Sequence, residues 1–285
     1  MIVFHKISKK FKDGTLVLNE ISFSIDKGEF VFLVGPSGAG KTTISRLLLR
    51  EILPSRGRIF VDNEEITKLK KGDIPRLRRK IGTAFQDFKL LLDRTVFENI
   101  ALSLEIIQRK DVNIKERVAR ILSLVGLQGK EDFFPLQLSG GELQRVVIGR
   151  ALAHSPKILF ADEPTGNLDQ ETAWQIIDLL KRINDEGTTV LVATHNADIV
   201  NTLSQRVIRL EKGEIKKDEK EGKYREKSHP PAGGKDKKLK MEKKEEEEKP
   251  TEKKSNPETL KKQKPLKEKK SQPSEKKAKK EVKKE

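Results

Sequence analysis

The sequence predicts an α/β fold built on a parallel sheet, and three observations carry that expectation. Phe30 to Val34 is a short, wholly apolar, β-favouring run, followed at once by Gly35-Pro36-Ser37-Gly38-Ala39-Gly40-Lys41-Thr42 and then by the helical pattern Thr43 to Leu49. A strand of that composition is buried on both faces, as in a parallel sheet. Two further apolar runs end in polar residues: Ile158 to Ala161 in Asp162-Glu163-Pro164, and Thr188 to Ala193 in Thr194-His195. Ligands of open α/β sheets bind beyond the carboxyl ends of the strands, where the glycine loop, the carboxylates and the histidine all fall.

The glycine loop matches G-x-x-x-x-G-K-[ST] in its required setting, between a strand and a helix. Gly35, Gly38 and Gly40 let the backbone of Pro36, Ser37 and Ala39 wrap so that N–H groups point inward at a phosphate. The helix start at Thr43 adds its partial positive charge. Lys41 is placed to reach the β- and γ-phosphates, and the Thr42 hydroxyl to hold Mg²⁺. Two acids at the end of a buried strand need a counter-charge, which metal carried by a nucleotide supplies. Asp162 then holds the metal shell and Glu163 is free to polarise a water. A neutral His195 imidazole could hydrogen-bond a γ-phosphate.

The remaining elements are punctuated by turns and by changes of period. Ile2 to Ser8 and Leu16 to Ile25 alternate around Lys12-Asp13-Gly14 as two strands. Phe11 stands at that turn, where it either stacks on a base or covers the hairpin end. Gly57 to Val61 reads as a strand, Asp73 to Lys80 as a basic helical piece, and Ile81 to Phe85 as a strand leading to Gln86. Gln86 is a loop residue unless a metal or water gives its amide a task. Thr95 to Val125 takes helical spacing, with Val96, Ile100 and Leu104 on one face and Val118, Ile121, Leu122 and Val125 on another. Leu138-Ser139-Gly140-Gly141-Glu142 opens the next helix, with Ser139 as N-cap and two glycines that admit a close approach. A helix from Glu171 to Asn184, in which Trp174 packs, precedes the third apolar strand, and Arg206 to Leu210 is the last one.

Composition excludes several classes of function. The chain has 285 residues, a formal net charge of +16 and no cysteine, so disulfides, thiolate ligands and thiol catalysis are out. No apolar run approaches the ~18 residues of a membrane span, and Met1 to Lys6 does not read as a signal peptide. Beyond residue 216 the sequence turns into Lys/Glu runs broken by prolines, with no apolar stripe to fix a structure. Residues 217–285 therefore read as a disordered tail, dispensable for folding and suited to an anionic membrane surface. Nucleic acid is a poor candidate partner, because acids, including Glu245 to Glu248, intersperse the lysines and there are hardly any aromatics to stack on bases.

Taken together, Gly35 to Thr42, Gln86, Leu138 to Glu142, Ile158 to Glu163, Asn167-Leu168-Asp169 and His195 resemble the motif series of the ATP-binding cassette ATPases over about the first 215 residues. The run Phe85 to Asn99 is similar to the cell-division branch of that family, with departures at Leu92 and Phe97. The resemblance implies a P-loop NTPase core of the ABC type with an antiparallel β subdomain and a helical subdomain at about 95–155. It implies ATP and Mg²⁺ as ligands, Phe11 stacked on adenine, and Gln86 contacting the metal and the attacking water. It further implies Glu163 as general base, His195 holding base and γ-phosphate in register, and Ser139, Gly140 and Gly141 completing the site of a second subunit. The implied role is that of a peripheral subunit on the cytoplasmic face of the membrane, working with an integral membrane partner to regulate cell-wall hydrolysis in division. The alternative is the motor of a lipoprotein-release or efflux transporter. The dimer also follows from the residues alone. Two glycine-rich helix starts suit phosphate but only one has a lysine and metal ligands, so a head-to-tail pair places each nucleotide between Lys41 of one chain and Ser139 of the other. The surface from Gln86 to Arg94, mixing Phe88, Leu90, Leu91 and Leu92 with Lys89 and Arg94, is expected to dock the membrane partner.

Overall fold

The computed structural model describes residues 1–107, 113–222 and 224. The strands form two sheets. The antiparallel one takes β1 (Ile2–Lys10), β2 (Leu16–Ile25), β4 (Arg56–Val61) and the two-residue β5 (Glu64–Glu65), in the order β2-β1-β4-β5. The other contains β3 (Phe30–Val34), β6 (Ile81–Ala84), β7 (Ile158–Asp162), β8 (Thr189–Thr194), β9 (Arg206–Glu211) and β10 (Glu214–Glu219). Its order is β10-β9-β3-β8-β7-β6, parallel except where β10 turns back along β9.

The apolar runs are explained by what covers them. Along β3, Phe30, Phe32 and Val34 face one hydrophobic cluster, and Val31 and Leu33 face the other. The alternation repeats in β7, with Leu159 and Ala161 on the first side and Ile158 and Phe160 on the second. Both faces of these strands are dry, so no polar alternation survives in the sequence. The second cluster is roofed by the antiparallel sheet, where the Phe4 and Phe23 rings stack with centroids 4.6 Å apart.

Seven α-helices are described: α1 (Lys41–Leu48), α2 (Ile74–Arg78), α3 (Val96–Ile107), α4 (Ile114–Val125), α5 (Gly140–Leu152), α6 (Gln170–Asp185) and α7 (Ala197–Leu203). In the helical subdomain expected at 95–155, α3 and α4 bury the two predicted faces against α5. Gly149 lets the helices close: a Cβ there would sit 3.0 Å from Ile121 and 3.3 Å from Ile100. Asn113 caps α4 and Asp169 caps α6, each side chain accepting a backbone N–H of the first turn. Trp174 is half-buried against the first cluster, as expected.

The expected boundary at residue 216 falls inside β10, and sequence reading missed both that strand and α7. Glu214–Glu219 has almost no apolar residue to betray a strand; it is held electrostatically. The Arg206 guanidinium donates to both carboxylate oxygens of Asp218, at 2.8 Å each, and to Glu29. Asp218 first, and then Glu29, raise the Arg206 pKa above its ordinary value. Tyr224 is 2% exposed and exchanges two hydrogen bonds with the Asn201 amide, at 2.7 and 2.9 Å, beneath the Arg209 guanidinium. The rest of the expected tail, from residue 225 on, lies outside the described residues. Removing a buried aromatic side chain costs about 3 kcal/mol. A chain ending at Lys220 should therefore melt several degrees below one ending at His229, and Tyr224→Ala should reproduce most of the loss. Equal melting temperatures by calorimetry would show that Tyr224 contributes nothing to the fold.

Candidate active site

The parallel sheet sets the site, because β8 lies between β3 and β7 and all three strands end at one edge. From β3 the chain passes through residues 35–40 into α1. Gly40, at φ 110°, caps that helix without a side chain, leaving its first N–H groups to face outward. A Cβ on Gly35 would overlap the Leu210 carbonyl oxygen, so the loop can lie against β9 only with glycine there. Beyond the loop opens a cavity of about 610 Å³, lined by residues 36–43 with Val17, Gln86, Asp162, Glu163 and His195.

Lys41 is buried and surrounded by oxygen. Its ammonium donates to Gly35 O at 2.7 Å and to Pro36 O at 3.4 Å, and lies 3.3 Å from Glu163 Oε1. The same Glu163 oxygen is 3.0 Å from His195 Nδ1, and Oε2 accepts the His195 N–H at 3.4 Å. Glu163 reaches this place by a left-handed backbone (φ 46°), anchored by its own N–H donating to Ala193 O at 2.8 Å. That conformation is unfavourable for a residue with a side chain and swings the carboxylate across the end of β8.

Asp162, one residue earlier, stays within the sheet. Burial raises its carboxyl above the ordinary 3.8, and the neighbouring Glu163 adds to the effect, while the Thr42 hydroxyl, Lys41 and Lys89 oppose it. A charged carboxylate there is therefore under-solvated, the condition in which a cation is welcome. Gln86, two residues past the end of β6, is exposed and faces the cavity.

Most of the expected site residues converge: Pro36 to Thr43, Gln86, Asp162, Glu163 and His195 share one cavity. Phe11 does not line it. It is half-buried at the hairpin turn beneath the Lys9 ammonium, 5.1 Å from its ring centroid, and Val17 from β2 lines the cavity instead. No motif singles out a valine, so it was not legible. Ser139, Gly140 and Gly141 also lie outside the cavity. Ser139 and Glu142 form a capping box at the start of α5. The close approach that glycine admits is made at Gly141 by the chain's own Thr172, whose Cγ2 a Cβ would strike. In the run expected to dock a partner, Phe88 and Leu90 pack against the first cluster, whereas Leu91 and Leu92 are 41% and 58% exposed.

A glycine loop that cradles phosphate, a lysine, two strand-end carboxylates and a second glycine-rich helix start outside that cavity together define a nucleotide-hydrolysing cassette. Residues 18–166 match the ABC transporter family model. The chain is 50% identical to the cell division ATP-binding protein FtsE of Streptococcus pneumoniae serotype 2 over 224 residues, covering 79% of this chain and 97% of that one. It is 49% identical to FtsE of Bacillus subtilis over 224 residues, with 79% and 98% covered. The solved dimeric post-hydrolysis structure of the ATP-binding cassette MJ0796, bound to ADP and Pi, superimposes with a TM-score of 0.72 at 35% identity, over 79% of this chain and all of that one. The chain thus belongs to the ATP-binding cassette family, and within it to the FtsE group of ATPases. No described helix is long and apolar enough to cross a membrane.

The strain on Asp162 gives a pH signature. Its folded-state pKa is raised, so the ionised carboxylate opposes folding above that value, and the cost fades as pH falls through it towards 3.8. Asp162→Asn should therefore raise the melting temperature of the nucleotide-free protein at neutral pH, with the gain vanishing near pH 4. A gain that is the same at pH 4 and pH 7 would contradict this.

Proposed function

We propose that this chain is the Mg²⁺-dependent ATPase subunit of a membrane complex resembling FtsE with its integral membrane partner FtsX, in which ATP binding and hydrolysis regulate cell-wall hydrolysis during division. The observation that carries the catalytic part is the Lys41–Glu163–His195 cluster, held beside Asp162 and Thr42 in one cavity. The loop N–H groups and Lys41 hold the phosphates. Lys41 exchanges its present carboxylate partner for them, which leaves Glu163 as the base for the attacking water. His195 keeps the Glu163 carboxylate turned to the cavity through Oε1, with Nε2 left for the γ-phosphate.

The Thr42 hydroxyl, the Asp162 carboxylate and the Gln86 amide oxygen are hard donors that fit Mg²⁺. Among the described residues no three of His, Cys, Asp or Glu gather into a standing metal site. Three protein oxygens with phosphate and water completing the shell are typical of Mg²⁺ that travels with a nucleotide; bound there, it would neutralise developing phosphate charge. Phe11 remains the proposed adenine contact.

Ser139, Gly140 and Gly141 act on the ATP of a second copy, so two chains close head to tail over two nucleotides. The dimeric MJ0796 cassette supports this reading. The partner docks on the exposed Leu91 and Leu92 and on the 280 Å³ groove between Arg78, Arg79, Ser103 and Ile106. A lipoprotein-release or efflux complex would use the same residue roles with a different membrane protein, and the membrane protein that co-purifies with the full chain separates the two. The Lys-rich residues 230–285 would hold the assembly to anionic lipid. Their deletion should abolish salt-sensitive binding to phosphatidylglycerol liposomes and leave turnover unchanged; intact binding would assign the lipid contact elsewhere.

Glu163→Gln keeps size and hydrogen bonding but loses basicity, so turnover should fall by roughly 10²- to 10⁴-fold while ATP still binds. Lys41→Ala should lose ATP binding itself. With less negative charge opposing the γ-phosphate, Glu163→Gln should accumulate as an ATP-dependent dimer. Ser139→Arg, added to it, should prevent that dimer by filling the approach to the helix start. Light scattering with and without ATP decides: a monomer at saturating ATP rejects the sandwich, and wild-type turnover rejects the base.

A further inference from the structure

The Gln86 loop is fastened to the helical subdomain by a residue that no motif marks. Arg150, two residues before the end of α5, points its guanidinium at the backbone just past Gln86. One arm donates to Lys89 O at 2.6 Å and the other to Phe88 O at 2.8 Å. Its partners are two successive carbonyl oxygens. For both to face one planar fork, the backbone between them must turn sharply, and Phe88 and Lys89 are both left-handed, at φ 54° and 50°. Residues with side chains disfavour that region, and two in succession hold it only when something outside the loop fixes them. Two charge-assisted hydrogen bonds from a partly buried guanidinium do so.

Further contacts show how little slack is left around Gln86. The buried Asn99 amide on α3 takes the Leu91 N–H at 2.9 Å and donates to the carbonyls of Leu91, Arg94 and Thr95 at 3.0 to 3.1 Å. The Lys89 ammonium lies 3.8 Å from the centroid of Phe85, the residue before Gln86. Gln144, also on α5, is 2% exposed, and its Nε2 has no partner; it borders a small cavity shared with Gln86, Phe88, Glu163 and Asn167. The loop from 88 to 95 is thus bound to α3 and α5, while Gln86 itself hangs between that body and Glu163.

We infer that Arg150 is a positioning residue for hydrolysis: by pinning the Phe88 and Lys89 carbonyls to α5 it fixes where Gln86 stands relative to Glu163. The inference rests on the role given above to Gln86. It also gives one helix two tasks, since the N-terminus of α5 carries Ser139 to Gly141, proposed to serve the partner copy's nucleotide, while Arg150 near its other end holds a loop of its own chain's site.

Arg150→Lys keeps the charge but replaces the rigid two-armed fork with a single ammonium that no longer fixes the two carbonyls relative to each other; Arg150→Gln, with one amide donor, is the second variant if the first folds poorly. Melting temperature establishes folding for each. In the full-length chain, ATP affinity should stay within about twofold while kcat falls roughly ten- to a hundredfold, the usual consequence of a small misplacement at a reacting centre. The same change placed on Gln86→Ala should cause little further loss. The chain has no cysteine, so Asp87→Cys, at an exposed position, gives a unique site for a nitroxide. That label should become more mobile when Arg150 is replaced. Unchanged mobility, or an equal loss of turnover with and without Gln86, overturns the inference. Wild-type turnover in Gln86→Ala alone would instead remove Gln86 from the chemistry, and the clamp then stands or falls on the label.

Discussion

Everything at the candidate site depends on where three buried strands stop. β3 and β7 are separated by β8, and the three run parallel, so the glycine loop, the two carboxylates and His195 leave the sheet at a common edge. A parallel sheet cannot supply that edge with side chains from its interior, because both faces are committed to hydrophobic clusters. The polar chemistry is therefore confined to the last residues of the strands and the segments that follow them. The left-handed turn at Glu163 and the glycine at position 35 are local costs of bringing those residues together in so little chain.

The electrostatics follow from the same confinement. A lysine and two acids share a cavity edge, and all three side chains are largely shielded from solvent. Glu163 meets its counter-charge in Lys41 at 3.3 Å, whereas Asp162 is left with a hydroxyl and a more distant cation, so that burial prevails and its pKa rises. The pair is thus asymmetric before any ligand arrives: one carboxylate is satisfied by the protein and the other lacks a full partner. In the proposed function a triphosphate with its metal would reverse both conditions, with Lys41 turning to the phosphates and Asp162 gaining a cation.

Legibility in the sequence tracked how local the physical cause was. The glycine loop, the strand-end acids and the helix opened by Ser139 are each specified by a few neighbouring residues and could be read directly. β10 could not, since six residues of mostly Lys, Asp and Glu become a strand through a guanidinium on β9 that is 12 positions away. Arg150 was illegible for the same reason, its partners lying 61 and 62 residues earlier. Val17 enters the cavity through the register of a hairpin, which no composition rule specifies. Phe11 is a mixed case: its place at a turn could be read from the sequence, whereas its position beneath Lys9 and outside the cavity lining could not.

Gly141 carries a consequence for how genetic data on this family would be interpreted. Its α-carbon is packed on the Thr172 methyl of the same chain, so any larger residue there separates α5 from α6 before a second copy is involved. Loss-of-function alleles at that glycine conflate an internal packing defect with a failed intersubunit contact. Ser139 is exposed and its hydroxyl bonds to Glu142 in the capping box, so a change there costs about 1 kcal/mol of helix capping but disturbs no helix packing. Suppressor searches aimed at the subunit interface are best seeded there, while second-site changes that restore a Gly141 allele should map first to Thr172, where a smaller side chain reopens the space.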